Sequence, residues 1–225
     1  MPSRMIVGAN TVPQLSPPWT AFVVLVVVFA LSVLMFVALV WRWTHARMWV
    51  SISDWARDRG YRASVKDCPA PPPLDALKNA ALLSQICVSD GTSSLMRLEV
   101  VGETAGAAQP KRWHVLVRNI ESQWQPTALR PASAPSSLLD LFSLTSFPLM
   151  GETQRFVVFG TGSAPARKLS KSRARALLPP DVGLLLHGPH MILDFTDRPF
   201  DEIEFDRMIA LSEQLVANLP VPTGR

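Results

Sequence analysis

The chain has 225 residues, of which 48% are hydrophobic, and its 22 Lys and Arg against 18 Asp and Glu give a net charge of +4. This charge suits a protein beside anionic lipid, but it is too small to indicate nucleic-acid binding by itself, and we expect no nucleic-acid partner. Many of the hydrophobic residues are concentrated in one segment near the N-terminus, and that segment sets the organisation of the chain.

The first apolar segment predicts a transmembrane helix at residues 19–41, preceded by a disordered tail at residues 1–18. The segment, WTAFVVLVVVFALSVLMFVALVW, contains no charge, and 15 of the 20 residues from Ala21 to Val40 are Val, Leu or Phe. As a helix it would be about 34 Å long, enough for a bilayer core of about 30 Å. A cleaved signal peptide is the alternative, but its apolar region is usually only about 7–15 residues long.

The basic residues beside this segment predict its orientation. Only Arg4 precedes it, whereas five arginines follow it: Arg42, Arg47, Arg57, Arg59 and Arg62. Because cytoplasmic flanks are enriched in Lys and Arg, we predict a single-pass cell-membrane protein with its N-terminus outside and its C-terminal domain in the cytoplasm. In that compartment Cys68 and Cys87, the two cysteines, are expected to be reduced thiols.

Residues 42–60 are predicted to extend the helix beyond the membrane, because no helix breaker occurs before Gly60. Trp49, Ile52 and Trp55 follow one another at intervals of three residues and so lie on one side of this extension. We expect that side to pack on the soluble domain or to lie at the lipid headgroups.

Residues 61–220 are predicted to form one α+β domain, an antiparallel-rich sheet packed by helices, with residues 221–225 as a short tail. Alternation of apolar and polar residues, with turn residues between the runs, indicates an antiparallel meander. The three runs of this meander are 82–88, 94–102 and 112–120, and further strands are predicted at 124–130 and 155–160.

Four further segments complete the predicted domain. The prolines in residues 66–75 indicate an extended connector, and residues 137–147 resemble a short helix that ends before a proline. Residues 181–195 are predicted to form a hairpin that turns at Gly188. The last helix is predicted to begin at Asp201, and its apolar side, repeated at a period of 3.6 residues, is expected to cover one face of the sheet.

The helix predicted for residues 163–180 has a basic face formed by Lys168, Lys171 and Arg175, whereas Arg173 lies on the apolar side. An ordinary solvated amphipathic helix would explain this pattern. A basic face held towards anionic lipid headgroups would explain it as well. On that second interpretation these three residues, together with Arg42 and Arg47, are the candidate membrane-surface contacts.

The C-terminal pattern RFVVFGTGSAPARKL…LLPPDVGLLLHG…MILDFTDRPFDEIEF…LSEQLVANLP, from about residue 155 to 220, resembles the C-terminal half of membrane-anchored bacterial proteins that are classified only as domains of unknown function. The shared features are a strand, a helix that ends in Leu-Leu, a turn glycine and a long terminal helix. The resemblance implies a fold, and it implies no reaction, cofactor or catalytic residue.

No sequence motif for nucleotide binding, ester hydrolysis or zinc-dependent proteolysis occurs in the chain. We therefore predict a membrane-tethered cytoplasmic binding or scaffolding module, with the lipid bilayer and a protein as partners and no catalytic, cofactor-binding or metal-binding residue. The alternative is a membrane-anchored enzyme whose site is assembled from distant residues such as Tyr61, His114, His187 and Asp194. A metal bound by His187 and His190 is disfavoured because no third ligand is evident.

Overall fold

The computed structural model describes residues 18–64, 81–101, 111–134 and 148–220. Four predicted segments lie outside these ranges: the connector, the helix before Pro148, the C-terminal tail at 221–225 and nearly all of the N-terminal tail. The chain divides into two compact units, Met1–Met48 and Trp49–Arg225, and the division falls within the predicted helical extension.

The first helix, α1, runs from Pro18 to Asp58. Its apolar part is exposed throughout, and Ser32 Oγ donates to the carbonyl oxygen of Val28 at 2.8 Å, which satisfies the hydroxyl inside the helix. Among the described residues, α1 is the one helix that is long and apolar enough to cross a membrane, a property that a signal sequence near the N-terminus would share.

The α+β prediction is confirmed: helices pack on an antiparallel sheet in the second unit. The strand order is β1-β2-β3-β4-β6-β5, with β7 paired to β4. The remaining elements are β1 Arg62–Ser64, β2 Ala81–Ser89, β3 Ser93–Val101, β4 Lys111–Pro131, β5 Leu149–Glu152, β6 Phe156–Gly160, α2 Ser163–Lys171, α3 Arg173–Leu177, β7 Gly183–Asp194 and α4 Glu202–Asn218.

The strand β4 is the centre of this sheet. Its first half pairs with β3 and its second half with β6 along one edge, while β7 follows the opposite edge. The two separate strands predicted at 112–120 and 124–130 are therefore one strand of 21 residues. Register shifts on both sides of Trp124 bend the strand without ending it.

The hairpin predicted at 181–195 is wrong, because β7 is a single strand of 12 residues. Leu186, before the expected turn, pairs with Thr127, and His190, after it, pairs with Asn119. Both sides of Gly188 thus pair with β4 instead of with each other. Gly188 has a φ of +56°, a conformation that glycine adopts readily, and here it bends a strand alongside the irregular part of β4.

The helix predicted for residues 163–180 is divided into α2 and α3 by extended backbone at Ser172, whose Oγ donates to the carbonyl oxygen of Leu169 at 2.7 Å. This break changes the helical phase. Ala166 and Leu169 before it and Ala174 after it are all buried, whereas Arg173 is exposed. The charge that a continuous helix would place on the apolar side therefore lies in solvent.

The terminal helix α4 begins as predicted, since the Asp201 carboxylate accepts a hydrogen bond from the backbone N–H of Glu204 at 2.9 Å. Its buried apolar residues include Phe205 and Met208, and Ser212 is buried on the same side. Arg118 on β4 donates to Ser212 Oγ at 2.8 Å, which joins the helix to the centre of the sheet.

Cys87 on β2 is buried and disulfide-bonded in the structure. The sequence has one other cysteine, Cys68, which lies outside the described residues. A reduced Cys87 was expected for a cytoplasmic domain, and the structure differs from that expectation.

Candidate functional site

The end of α1 belongs to the second compact unit, Trp49–Arg225. Ile52, Trp55 and Ala56 are buried, and the Trp55 ring lies 5.3 Å from the Tyr61 ring and 5.2 Å from the Phe205 ring, measured between centroids. Burial of this large aromatic side chain stabilises the attachment of the helix end. Of the two surroundings expected for this side of the helix, the structure shows packing on the domain for Ile52 and Trp55.

Polar contacts fix the same helix end to α4. Asp206 accepts two hydrogen bonds, from Trp55 Nε1 at 3.2 Å and from the Arg59 guanidinium at 2.7 Å. Arg59 also lies 5.1 Å from the centroid of the Trp55 ring, within the range of a cation–π contact. Just after the end of α1, Gly60 has a φ of +75°, which lets Tyr61 N–H reach the carbonyl oxygen of Ala56 at 2.8 Å.

A second group of charges joins the loop after β7 to the start of α4. The Arg198 guanidinium donates to both carboxylate oxygens of Asp181, at 2.7 and 2.8 Å, and to Glu204 at 2.6 Å. The Glu204 side chain is only 4% exposed and also accepts from Arg207 at 3.2 Å. The hydrogen bonds from Arg198 lower the pKa of Asp181, and those same carboxylates raise the pKa of Arg198. Asp201 and Glu204 have the spacing of a capping box, in which the Glu204 side chain would bond the backbone of Asp201, but that side chain contacts Arg198 instead.

His114 is held beside this group by structural contacts. Its Nδ1 lies 2.9 Å from the carbonyl oxygen of Arg198, and because a carbonyl only accepts, Nδ1 carries the proton. Its ring packs 4.9 Å from the ring of Phe200. Asp194, which is buried, accepts from the hydroxyl and the backbone N–H of Thr196, at 2.6 and 3.2 Å. These groups tie β4 to the loop after β7.

The unfolding free energy of the domain is expected to decrease as the pH is lowered from 7.5 to 5.5. Desolvation by burial lowers the pKa of His114 below its ordinary value of 6.5, so the unfolded chain takes up the proton first as the pH falls. Denaturant unfolding of residues 49–225 at both pH values measures the loss, which should be smaller in His114→Gln. An identical loss in the two proteins would contradict this assignment. Desolvation also lowers the pKa of His190, so His190→Gln should remove a further part.

The four residues of the enzyme alternative do not share one site in the described part of the chain. His114 and Asp194 are neighbours, since Val115 pairs with Asp194. Tyr61 packs on Trp55, and its burial and the nearby Asp90 carboxylate raise its pKa to about 12. His187 is exposed at the bend of β7. No group of three metal-ligating side chains occurs among the described residues.

The candidate membrane-surface residues occur in both units. Arg42 and Arg47 are exposed on α1, and the Arg47 guanidinium lies 3.5 Å from the centroid of the Trp43 ring. In the second unit Lys171 is exposed, and Lys168 and Arg175 are half-buried. Contact of these side chains with lipid stays a prediction.

Arg175 also lines a surface cleft of about 320 Å³ that the sequence did not indicate. The cleft lies between α3 and the turn that joins β5 to β6. Its lining residues are Thr153, Gln154, Arg155, Phe156, Arg175 and Ala176. No periodic pattern in the sequence relates the two arginines, because one belongs to a turn and the other to a short helix.

No protein-family model and no curated protein matches the chain. Among solved structures, the chain is similar to the mycobacterial trehalose monomycolate transport factor A, TtfA, with a TM-score of 0.51 and 12% sequence identity. The similarity covers 79% of this chain and 98% of that chain. At this identity the similarity shows the fold alone.

Proposed function

We propose that this protein is a membrane-tethered cytoplasmic module that binds or scaffolds a protein partner. The observation that carries the proposal is α1, a helix whose first part is apolar and exposed and whose last turns are buried in the domain. A domain that includes the end of its own anchor is suited to work at the membrane. His114, Asp181 and Arg198, whose pKa values are shifted, serve hydrogen bonds within the fold, which favours binding over catalysis.

The similarity to a transport factor supports the same class of function. TtfA is described as a factor in trehalose monomycolate transport. On the basis of this shared fold, the specific form of the proposal is a role as a transport factor at the membrane.

The proposed orientation rests on the arginines after the span, five against the one before it. The Cys87 disulfide favours the opposite side, because disulfides persist mainly in oxidising compartments. We give the arginines more weight because they determine orientation while the helix is inserted into the membrane. A disulfide on the cytoplasmic side would be reduced to thiols after insertion. Alkylation of the denatured chain directly from cells should therefore label Cys87 without added reductant. A thiol labelled only after reduction would contradict the cytoplasmic placement.

A membrane complex of fixed composition is the expected outcome of purification in mild non-ionic detergent. Two variants test whether the partner requires membrane attachment or the particular sequence of the anchor. The first replaces the apolar part of α1 by an unrelated transmembrane helix. The second retains only residues 49–225. The partner should co-purify with the first variant and be depleted with the second. A full-length chain that migrates alone in native gels would contradict the scaffolding proposal.

The basic residues of α2 and α3 are expected to strengthen binding to anionic membranes. Each basic residue near such a surface contributes about 1 kcal/mol, so Lys168→Glu, Lys171→Glu and Arg175→Glu together should abolish most binding of residues 49–225 to phosphatidylglycerol vesicles at low salt. Arg173→Glu, across the break at Ser172, is the control and should have less effect. Equal binding by the triple variant and the unaltered fragment would mean that these side chains are merely solvated.

A further inference from the structure

The cleft between α3 and the β5–β6 turn has a rigid wall. Thr153 closes the turn with three hydrogen bonds to Phe156: backbone N–H to carbonyl at 2.9 Å, hydroxyl to carbonyl at 3.0 Å, and Phe156 N–H to the hydroxyl at 3.0 Å. The carbonyl oxygen of Arg155 accepts from Ala132 N–H at 2.9 Å, which attaches the turn to the end of β4. The backbone that carries Arg155 is therefore fixed before any ligand binds.

The Arg155 side chain is also positioned in advance. One guanidinium nitrogen donates to the carbonyl oxygen of Leu178 at 3.2 Å, and the guanidinium lies 5.7 Å from the centroid of the Phe156 ring. Phe156 itself is buried. A guanidinium has five N–H donors, so most of those on Arg155 stay available to a ligand.

The two arginines of the cleft have no counter-charge within the described ranges. Neither Arg155 nor Arg175 forms an ion pair there, and no acidic residue lines the cleft. Arg198, which secures the fold elsewhere in the domain, has two carboxylate partners, Asp181 and Glu204. Arg155 and Arg175 both line the cleft, and an anion bound there would offset the repulsion between their positive charges.

We propose that the Arg155–Arg175 cleft binds a phosphate group. Guanidiniums bind phosphate with paired, charge-assisted hydrogen bonds, and the cleft volume of about 320 Å³ exceeds what a single phosphate needs. The same chemistry would recognise a soluble phosphate compound or the headgroup of an anionic phospholipid. This site goes beyond the proposed function, since it requires neither a protein partner nor a particular orientation in the membrane.

The test uses the full chain in maltoside detergent, which contains no phosphate. One arm titrates inorganic phosphate by calorimetry, and the other titrates phosphatidylglycerol in mixed micelles. Loss of one charge-assisted contact should weaken binding about tenfold, so we expect that change in Arg155→Gln and in Arg175→Gln. Arg173→Gln removes the same charge from an exposed position on α3 that does not line the cleft, and it should leave the affinity within about twofold of the unaltered chain.

Each outcome decides the proposal. Arginine-dependent binding of inorganic phosphate identifies a soluble ligand class, and arginine-dependent binding of phosphatidylglycerol alone identifies a lipid headgroup. Absence of binding in both arms overturns the site, as does an equal loss in Arg173→Gln, which would mean diffuse attraction. If Arg155→Gln lowers the melting temperature because the Leu178 bond is lost, Arg175→Gln carries the test.

Discussion

Replacement of Arg198 by alanine is expected to lower the unfolding free energy of the domain by about 3 kcal/mol. The substitution removes both hydrogen bonds to Asp181 and the one to Glu204, whose side chain is only 4% exposed. A buried carboxylate that loses its main partner keeps its desolvation cost, which is why loss of one partner is more damaging than loss of an exposed pair. Denaturant unfolding of residues 49–225 at pH 7 measures the change.

The control for this prediction is Arg207→Ala. Arg207 contacts the same Glu204, but its side chain is 67% exposed, so its removal should cost less than about 1 kcal/mol. Equal losses in the two variants would contradict the central place given to Arg198. The effect of Arg198→Ala should also shrink towards pH 3. Because Arg198 lowers the pKa of Asp181, the ionised carboxylate stabilises the fold at pH values above the ordinary pKa of an aspartate, and this contribution disappears as the folded protein takes up the proton.

Replacement of Trp55 by alanine is expected to cost about 3–5 kcal/mol, the usual range for a buried large aromatic. The change removes the ring contacts with Tyr61 and Phe205, and it removes the hydrogen bond from the indole to Asp206. Unfolding of residues 49–225 followed by circular dichroism gives the free energy without relying on tryptophan fluorescence.

Trp49→Ala is the matched control for Trp55→Ala, since it removes the same side chain from the same helix at a half-exposed position. We expect it to cost about 1 kcal/mol or less. If Trp55→Ala were equally mild, the end of α1 would not belong to the folded domain, and the argument that the anchor and the domain act together would fail.

The features of the fold that follow from local periodicity were predictable. The apolar run predicted α1, and the 3.6-residue period predicted the buried side of α4. Asp201 caps α4, as its spacing to Glu204 indicates. Fold class could be inferred from such patterns because helices and strands of this length each bury one face.

Pairing between distant segments was not predictable in the same way. Gly188-Pro189 is ordinary turn chemistry, and only the register of β7 on β4 shows that the strand continues through it. The break at Ser172 likewise depends on tertiary packing, since it lets both short helices bury their apolar residues in the domain. A single sequence contains local preferences, whereas these outcomes were decided by the tertiary partner.

The candidate sites were even less visible in the sequence. Arg198, Asp181 and Glu204 are far enough apart that no motif links them, and each alone resembles a solvated charge. Arg175 was identified as part of a basic helix, but its neighbour in the cleft, Arg155, was read only as the start of a strand. Contacts of this kind become apparent when the sheet brings a turn and a helix together.

The orientation of the chain tests the account most directly, because a binding module at the cytoplasmic surface requires its domain on that side. Two reporters fused after Arg225 decide it, one active only in the cytoplasm and one active only outside it. We predict activity from the cytoplasmic reporter alone. A silent cytoplasmic reporter with an active external one would contradict the account, and it would place the Cys87 disulfide in the compartment where such bonds persist.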